Sequence, residues 1–245
     1  MTDAIARFAA NGQGRDFAVG DIHGAFSALQ IALDAIGFDG AQDRLFSVGD
    51  LVDRGPDSHE VVAWLDKPWF HAICGNHDFM AWRSALGQPF EAVSHAKHGG
   101  GWLKDLPATE QRRIGERLAE LPIAFEVETS SGLVGMLHAD LPFDDWRDLA
   151  GIDWTALDRM DSEAGQCLWS IERYRRSYRG RVKNIRAVVH GHMTISAMVT
   201  LGNVYFIDTG GWHPSGRFTF LELEHLAAVV GPGSGRITST PKRNR

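Results

Sequence analysis

The chain has 245 residues, of which 44% are hydrophobic, 23% charged and 10% aromatic, a balance that excludes global disorder and leaves ample material for a core. No stretch approaches the roughly 20 apolar residues a membrane-crossing helix requires, so no membrane partner is expected. The net charge of −6 is uneven: Arg236 to Arg245 hold four bases and no acid, leaving 21 basic against 31 acidic residues elsewhere, or −10. A body that acidic argues against general nucleic-acid binding, which relies on basic surface to neutralise phosphates. Two cysteines, Cys74 and Cys167, cannot make a disulfide framework. The opening segment carries Asp3 and no long apolar run, so no secretory signal is expected, and a reducing, cytoplasmic setting follows.

The first strong element is "RDFAVGDIHG", where Phe17 to Val19 form a short apolar run that Gly20 breaks before Asp21 and His23. Phe26, Leu29, Leu33 and Ile36 then follow at helical spacing, and Gly37 ends that helix. A second strand, "RLFSV", runs into "GDLVDRGPDS", and "SHEVVAWLDK" has the pattern of an amphipathic helix. A third strand, "WFHAIC", runs into "GNHD", with a helix after it. Three successive strands thus end in glycine followed by ionisable residues, a βαβαβ arrangement that places ligands at the carboxyl ends of parallel strands. Residues 80 to 120 read as mostly helical, with loops at "GQPF" and "KHGGGW". Beyond them "IAFEVE", "GLVGMLHAD", "AVVHGHM", "MVTLGNVYFIDTG" and "RFTFLELE" are rich in strand formers, so a second sheet is expected in the C-terminal half.

Taken together, the residues at these strand ends are Asp21, His23, Asp50, Asn76, His77, His138, His190 and His192. Carboxylate and amide oxygens mixed with imidazole nitrogens form a donor set that divalent first-row metals accept. No cysteine joins it, which argues against a structural zinc knot. Asp50, central in the series, is the natural bridge between two metals, because each carboxylate oxygen can bind a different one. Singly, each piece is weak: Asp-x-His after a strand is more often a turn, and "GNHD" suits an Asx-turn leading into a helix cap. Their joint occurrence, each after a short apolar strand, is what points to a metal site.

"VGDIHG", "VGDLVDRGPDS" and "GNHD", followed by a later His and a "GH", resemble the calcineurin-like metallophosphoesterases. Within that family the wording is closest to the phosphoprotein phosphatase branch, in its small bacterial and phage (lambda-type) form. The resemblance runs from about Phe17 to Glu222 and includes "GGGWLKDL", "LHADLPFDDW", "CLWSIER" and "YFIDTG". It implies an α/β fold of two mixed β-sheets packed as a sandwich flanked by helices. A single domain over residues 1–230 is expected, followed by a flexible basic tail at 231–245.

The resemblance also implies roles. One metal would be held by Asp21, His23 and the bridging Asp50, and a second by Asp50, Asn76, His138 and His192. His190 is expected to be a strand-end residue rather than a ligand. His77 matches the general acid, Asp53 the carboxylate that pairs with it, and Arg54 a phosphate-binding guanidinium. Relatives often carry an arginine where this chain has Ile171 in "LWSIER"; Arg173 stands close by as the substitute phosphate contact. Arg175, Arg176 and Arg179 read as a solvated face, and Asp78, with no catalytic role, as a helix cap or a residue lying behind the ligands. Asp208 is expected to orient a ligand histidine or the turn, and His95, His98 and His213 to lie at the rim.

The implied chemistry is hydrolysis of a phosphomonoester, with a serine or threonine phosphoprotein or a small phosphoester as substrate. Two divalent metals, manganese by resemblance with iron or zinc as alternatives, would activate water for in-line attack. The competing readings are a symmetrical diadenosine tetraphosphate hydrolase or another phosphoanhydride or phosphodiester hydrolase, a metal-stripped phosphopeptide-binding protein, and a nuclease. The nuclease is disfavoured by the acidic body and by Thr194, where such enzymes typically carry a second histidine.

Overall fold

A computed structural model describes residues 4–88, 90 and 93–233. In chain order its elements are β1 (Ile5–Phe8), β2 (Asp16–Val19), α1 (Phe26–Ala35), β3 (Arg44–Ser47), α2 (Val61–Leu65), β4 (Phe70–Ala72), α3 (Asn76–Ala85) and α4 (Ala108–Ala119). They continue with β5 (Ala124–Thr129), β6 (Gly132–Leu137), α5 (Glu163–Trp169), α6 (Glu172–Arg175), β7 (Ala187–His190), β8 (Val199–Leu201), β9 (Val204–Phe206), β10 (Arg217–Glu222) and β11 (Ala227–Gly233). Among the described residues no helix is long and apolar enough to cross a membrane.

The strands form two mixed sheets, in the orders β1-β5-β6-β7-β9-β8 and β11-β10-β2-β3-β4. In the second sheet β2, β3 and β4 run parallel, each joined to the next through a helix on the βαβαβ pattern. Strand β10 returns from the far end of the chain to pair antiparallel with β2, Phe220 opposite Val19. The sheets face each other because their strands alternate. Ala18, Phe46, Phe125, Val127, Val134, Met136, Val189 and Leu221 pack in the layer between them. The neighbouring positions Phe17, Val19, Leu45 and Phe220 point outward against Phe26, Leu29 and Leu33 of α1. Val188, Val204 and Phe206 line the outer face of the other sheet, under α3 and α5.

Several expectations shift by local detail. The third strand is short, and Cys74 instead donates its N–H to the Pro122 carbonyl. The helix after "GNHD" starts at Asn76 itself, so Asn76 and His77 stand on its first turn. The "KHGGGW" segment is two tight 3₁₀ turns, His95–His98 and Gly100–Asp105, rather than a loop. Strands β1 and β11 had no counterpart in the sequence pattern. Strand β11 stays paired with β10 through Gly233, inside what was expected to be the tail, with a shift of register between Thr219 and Arg217 before Gly233 opposes Arg217. The rest of the expected basic tail, 234–245, lies outside the described residues.

Candidate active site

The site gathers at the ends of β2, β3, β4, β6 and β7, where the chain leaves each strand in a tight turn. His23, Asp50, Asp53, Arg54 and His192 all have positive φ, between 45° and 75°. L-residues adopt this left-handed region at a cost, and such residues persist where the surroundings hold them. Bending the backbone here lets five separate strand ends deliver side chains to one point. The glycines of the motifs supply room for close approach. A Cβ on Gly75 would lie 2.3 Å from Asp50 Oδ1, and one on Gly191 would lie 2.2 Å from Asp21 Oδ1.

Asp50 is buried between two groups of ligand atoms. Its Oδ2 lies 3.5 Å from His23 Nε2 and its Oδ1 3.4 Å from His138 Nε2. Asp21 Oδ2 is 3.9 Å from His23 Nε2 on one side. On the other side, three atoms converge. Asn76 Oδ1 is 2.9 Å from His138 Nε2 and 3.0 Å from His192 Nδ1, and those two nitrogens are 3.1 Å apart.

The far side of each ring decides which nitrogen is open. His23 Nδ1 donates to the Val52 carbonyl at 3.0 Å, and His138 Nδ1 donates to the Val48 carbonyl at 2.8 Å. A carbonyl can only accept, so each Nε2 is left with its lone pair pointing into the site. The His192 ring is likewise tied to the backbone of Trp169. Metal-binding histidines are oriented in this way by the hydrogen bond of the second nitrogen.

Burial keeps the imidazoles neutral: it pushes His23 and His192 down to about 3 and lowers His138. Neutral rings are the ligand-competent form. Burial, then the charges of Asp208 and Asp50, push the Asp21 carboxyl well above its usual range. For Asp50 burial works upward too, but the surrounding histidines, His138 first, outweigh it and hold the group below its ordinary value. Lone pairs of Asn76, His138 and His192 converging within about 3 Å repel each other unless a cation lies among them. The donor set therefore fits a divalent ion, with Asp50 shared between two positions.

Beside this cluster stands His77. Its Nδ1 donates to Asp53 Oδ2 at 2.7 Å, and its Nε2 accepts from Arg54 Nη2 at 3.0 Å. A second Arg54 nitrogen, Nη1, donates to His23 Nε2 at 2.8 Å. His77 also lies in one tight group of donor atoms with His23 and Asp50. Its Nδ1 is committed to Asp53, however, which sets its ring apart from the other histidines. Arg54 is exposed, with its guanidinium 4.8 Å from the Trp212 ring centroid, so a planar cation is held over the mouth of the site.

The remaining expectations divide. Asp78 accepts the N–H groups of Leu51 and Gly75, both at 2.9 Å, and so caps the turn and α3 as expected. Asp208 accepts from Thr194 Oγ1 and the Gly210 N–H, so it orients the turn, while backbone carbonyls orient His23 and His138. His190 is fully buried, donating to the Leu137 carbonyl at 2.9 Å, and falls outside both groups of converging donor atoms. Arg175 and Arg176 pair with Glu172 on the surface.

Arg173 departs from its expected role as a phosphate contact. It is buried, its Nη1 donates to the Gly180 carbonyl at 2.9 Å, and its Nη2 faces Asp144 at 3.4 Å. Its Nε faces Asp140 at 3.8 Å and its guanidinium lies 4.8 Å from the Tyr178 ring centroid. Acidic partners at the end of "HAD" and four residues beyond it, Asp140 and Asp144, draw the side chain into the protein, away from an incoming dianion. Two residues that sequence reasoning placed at the rim or passed over do reach the site. His95 Nε2 and Trp102 Nε1 both donate to Asp53. The visible signal was a His four residues before, and a Trp directly after, three consecutive glycines.

The calcineurin-like phosphoesterase family matches residues 17–221. The chain belongs to that family. Its members are metal-dependent phosphoester hydrolases with a dinuclear centre, and this chain is a hydrolase of that kind. It is 31% identical over 212 residues to serine/threonine-protein phosphatase 2 of Escherichia coli (strain K12), spanning 84% of this chain and 91% of that protein. It is 36% identical over 131 residues to a symmetrical bis(5'-nucleosyl)-tetraphosphatase of Coxiella burnetii, but that match spans 51% of this chain and 42% of the enzyme. A serine/threonine phosphatase from Saccharomyces cerevisiae has the same fold, with a TM-score of 0.66 at 17% identity over 91% of this chain and 78% of the yeast chain.

Proposed function

We propose that this metallophosphoesterase is a phosphomonoesterase acting on phosphoserine or phosphothreonine in proteins, with small phosphoesters as further substrates. The observation that carries this reading is the His77–Asp53 pair, aligned beside the cluster centred on Asp50. An alkoxide is a poor leaving group, so cleavage of a serine or threonine ester gains from a positioned acid. His77 Nε2 faces the site and would hand a proton to the departing oxygen. Asp53 holds the ring and offsets the charge of its imidazolium form. Arg54 would turn its fork of donors from His23 and His77 to the phosphoryl oxygens. The extended match to the E. coli phosphatase supports the same substrate class.

Asp21, His23, Asp50, Asn76, His138 and His192 are the residues that would hold two divalent ions. The mixture of imidazole, carboxylate and amide suits manganese, with iron or zinc as alternatives. Bound there, the ions would supply a water of lowered pKa and a clamp on the phosphoryl oxygens. Two free, buried thiols, Cys74 and Cys167, fit the reducing cytoplasm proposed for the protein.

Symmetrical dinucleotide tetraphosphate hydrolysis is the second reading, favoured by the 36% identity over 131 residues to such an enzyme. Phosphate release from a phosphothreonine peptide, after chelation and manganese return, separates the two. The expected result is manganese-dependent turnover that falls steeply in H77N and D50N. A metal-loaded protein that spares the peptide but releases ADP from diadenosine tetraphosphate would replace the first reading with the second.

A further inference from the structure

The Asp53 carboxylate accepts from three side chains. Beyond His77, His95 Nε2 lies 3.0 Å from Oδ1 and 3.1 Å from Oδ2, and Trp102 Nε1 donates to Oδ1 at 2.7 Å. Asp53 itself is fully buried. His95 and Trp102 come from 42 and 49 positions further along the chain, in the two 3₁₀ turns that follow α3.

The segment carrying them is shaped to lie on the Asp53–Arg54 turn. Gly99 has φ of 101°, and a Cβ there would lie 2.9 Å from the Arg54 backbone nitrogen. A Cβ on Gly100 would lie 2.1 Å from His95 Nε2, the atom that donates to Asp53. The glycines thus let the backbone press against both the turn and the His95 ring. Asp53 and Arg54 have φ of 75° and 67°, two consecutive non-glycine residues in the left-handed region. Such a turn needs holding from outside.

We propose that His95 and Trp102 are positioning residues for proton donation: by fixing both oxygens of Asp53 they hold the His77 ring with Nε2 aimed at the leaving-group oxygen. The inference rests on the acid role proposed for His77. A carboxylate with one partner can rotate about its Cβ–Cγ bond and let the imidazole follow. With donors on both oxygens its plane is set, and only the direction of Oδ2 remains for His77 Nδ1. The same three N–H groups keep a buried anion satisfied, which a lone histidine partner would not. His95 also lines a cavity of about 370 Å³ together with Met80, Phe90 and Leu103. Removing its ring opens a path for water to reach Asp53, which replaces a fixed donor by a mobile one without leaving the carboxylate bare.

Leaving-group dependence tests this directly. The manganese-loaded enzyme is assayed on a phosphothreonine peptide, whose alkoxide needs protonation, and on p-nitrophenyl phosphate, whose phenolate leaves readily. H95A is expected to lower kcat on the peptide about 10–100-fold, the usual range for outer partners of a site residue, and kcat on the aryl ester less than about 3-fold. H95Q, which keeps an N–H donor, recovers part of the loss, and W102F gives a smaller selective loss with KM unchanged. H77N, assayed beside them, must show the same selectivity more strongly. If H77N loses both substrates equally, the acid role fails and the inference falls with it. If H77N is selective while H95A and W102F lose both substrates equally or lose nothing, the positioning role alone is overturned. Should H95A not fold, H95Q and W102F decide by the same ratio.

Discussion

The backbone N–H of His77 donates to Asp50 Oδ1 at 2.9 Å. The same residue's ring donates to Asp53 Oδ2, so the first turn of α3 ties the proposed bridging carboxylate to the proposed proton donor. Neither group can shift without the other. The coupling follows from placing "GNH" on a helix start, where unpaired N–H groups are available to carboxylates.

Asp50 stands between the two groups of ligand atoms, so D50N is expected to disturb both. Changes to outer partners of a metal site typically cost about 10–100-fold in affinity or activity, and loss of the bridging carboxylate should exceed that. Metal content after dialysis, measured by elemental analysis, should fall together with turnover. A D50N protein that retains wild-type metal content would remove Asp50 from the bridging position.

Metal binding should also stabilise the fold. A ligand that binds only the native state at 100 times its dissociation constant contributes about 2.7 kcal/mol. Chelation is expected to lower the melting temperature, and manganese to restore it. The effect should vanish in a D50N/H192A double variant. An unchanged melt in the wild-type protein would count against these residues as a metal site.

Arg54 carries the exposed guanidinium over the site, and R54A is expected to lower kcat/KM by about 100–1,000-fold, the range for loss of one oxyanion donor. R54K should recover little, because an ammonium cannot offer the planar fork that engages two oxygens. Steady-state kinetics on a phosphopeptide check this. Full activity in R54K would show that charge alone suffices.

Arg173 should matter to the fold rather than to the substrate. R173M leaves Asp140, 5% exposed, without its facing cation, and Gly180 without its donor. Breaking such a pair costs about 3 kcal/mol, which lowers the melting temperature of a chain this size by roughly 6–12 °C. KM for a phosphoester should stay within about 3-fold of wild type. A large KM rise with an unchanged melt would return Arg173 to phosphate binding.

His71 lies away from the site, its ring 4.6 Å from that of Phe8 and 5.1 Å from that of Phe46. Burial first, then the Arg44 charge, lower it to about 4 from an ordinary 6.5. In the folded protein it stays neutral where the unfolded chain takes up a proton, so it contributes a loss of stability as pH falls from about 6.5 towards 4. H71F should remove that contribution, flattening the pH dependence by up to about 1.4 kcal/mol per pH unit in this window. Urea unfolding across it is the check, and equal slopes in the two proteins would contradict the assignment.

The strand ends were legible because their chemistry is local. Asp21, His23, Asp50, Asn76 and His77 each follow a short apolar run and a glycine, and a glycine-bounded turn after a parallel strand dictates where such residues point. His192 was legible for the same reason, whereas His138 follows β6 directly with no glycine between; His190 separates from His192 because β7 ends at His190, inside the core, and the left-handed backbone at His192 turns its ring into the site.

Edges and partners were not legible. Strand β1 is held by pairing with β5, more than 100 residues on, and β11 by folding back on its neighbour β10, rather than by a distinctive pattern of their own. Arg173 looks free on a basic helix until Asp140, Asp144 and Gly180 are brought around it. His95 and Trp102 look like loop residues until the segment of three glycines is laid on the Asp53–Arg54 turn. Turn geometry and side-chain alternation are written in a few neighbouring residues. The partner of a buried charge depends on which distant segment packs over it, and that is settled only when the sheets and helices close on one another.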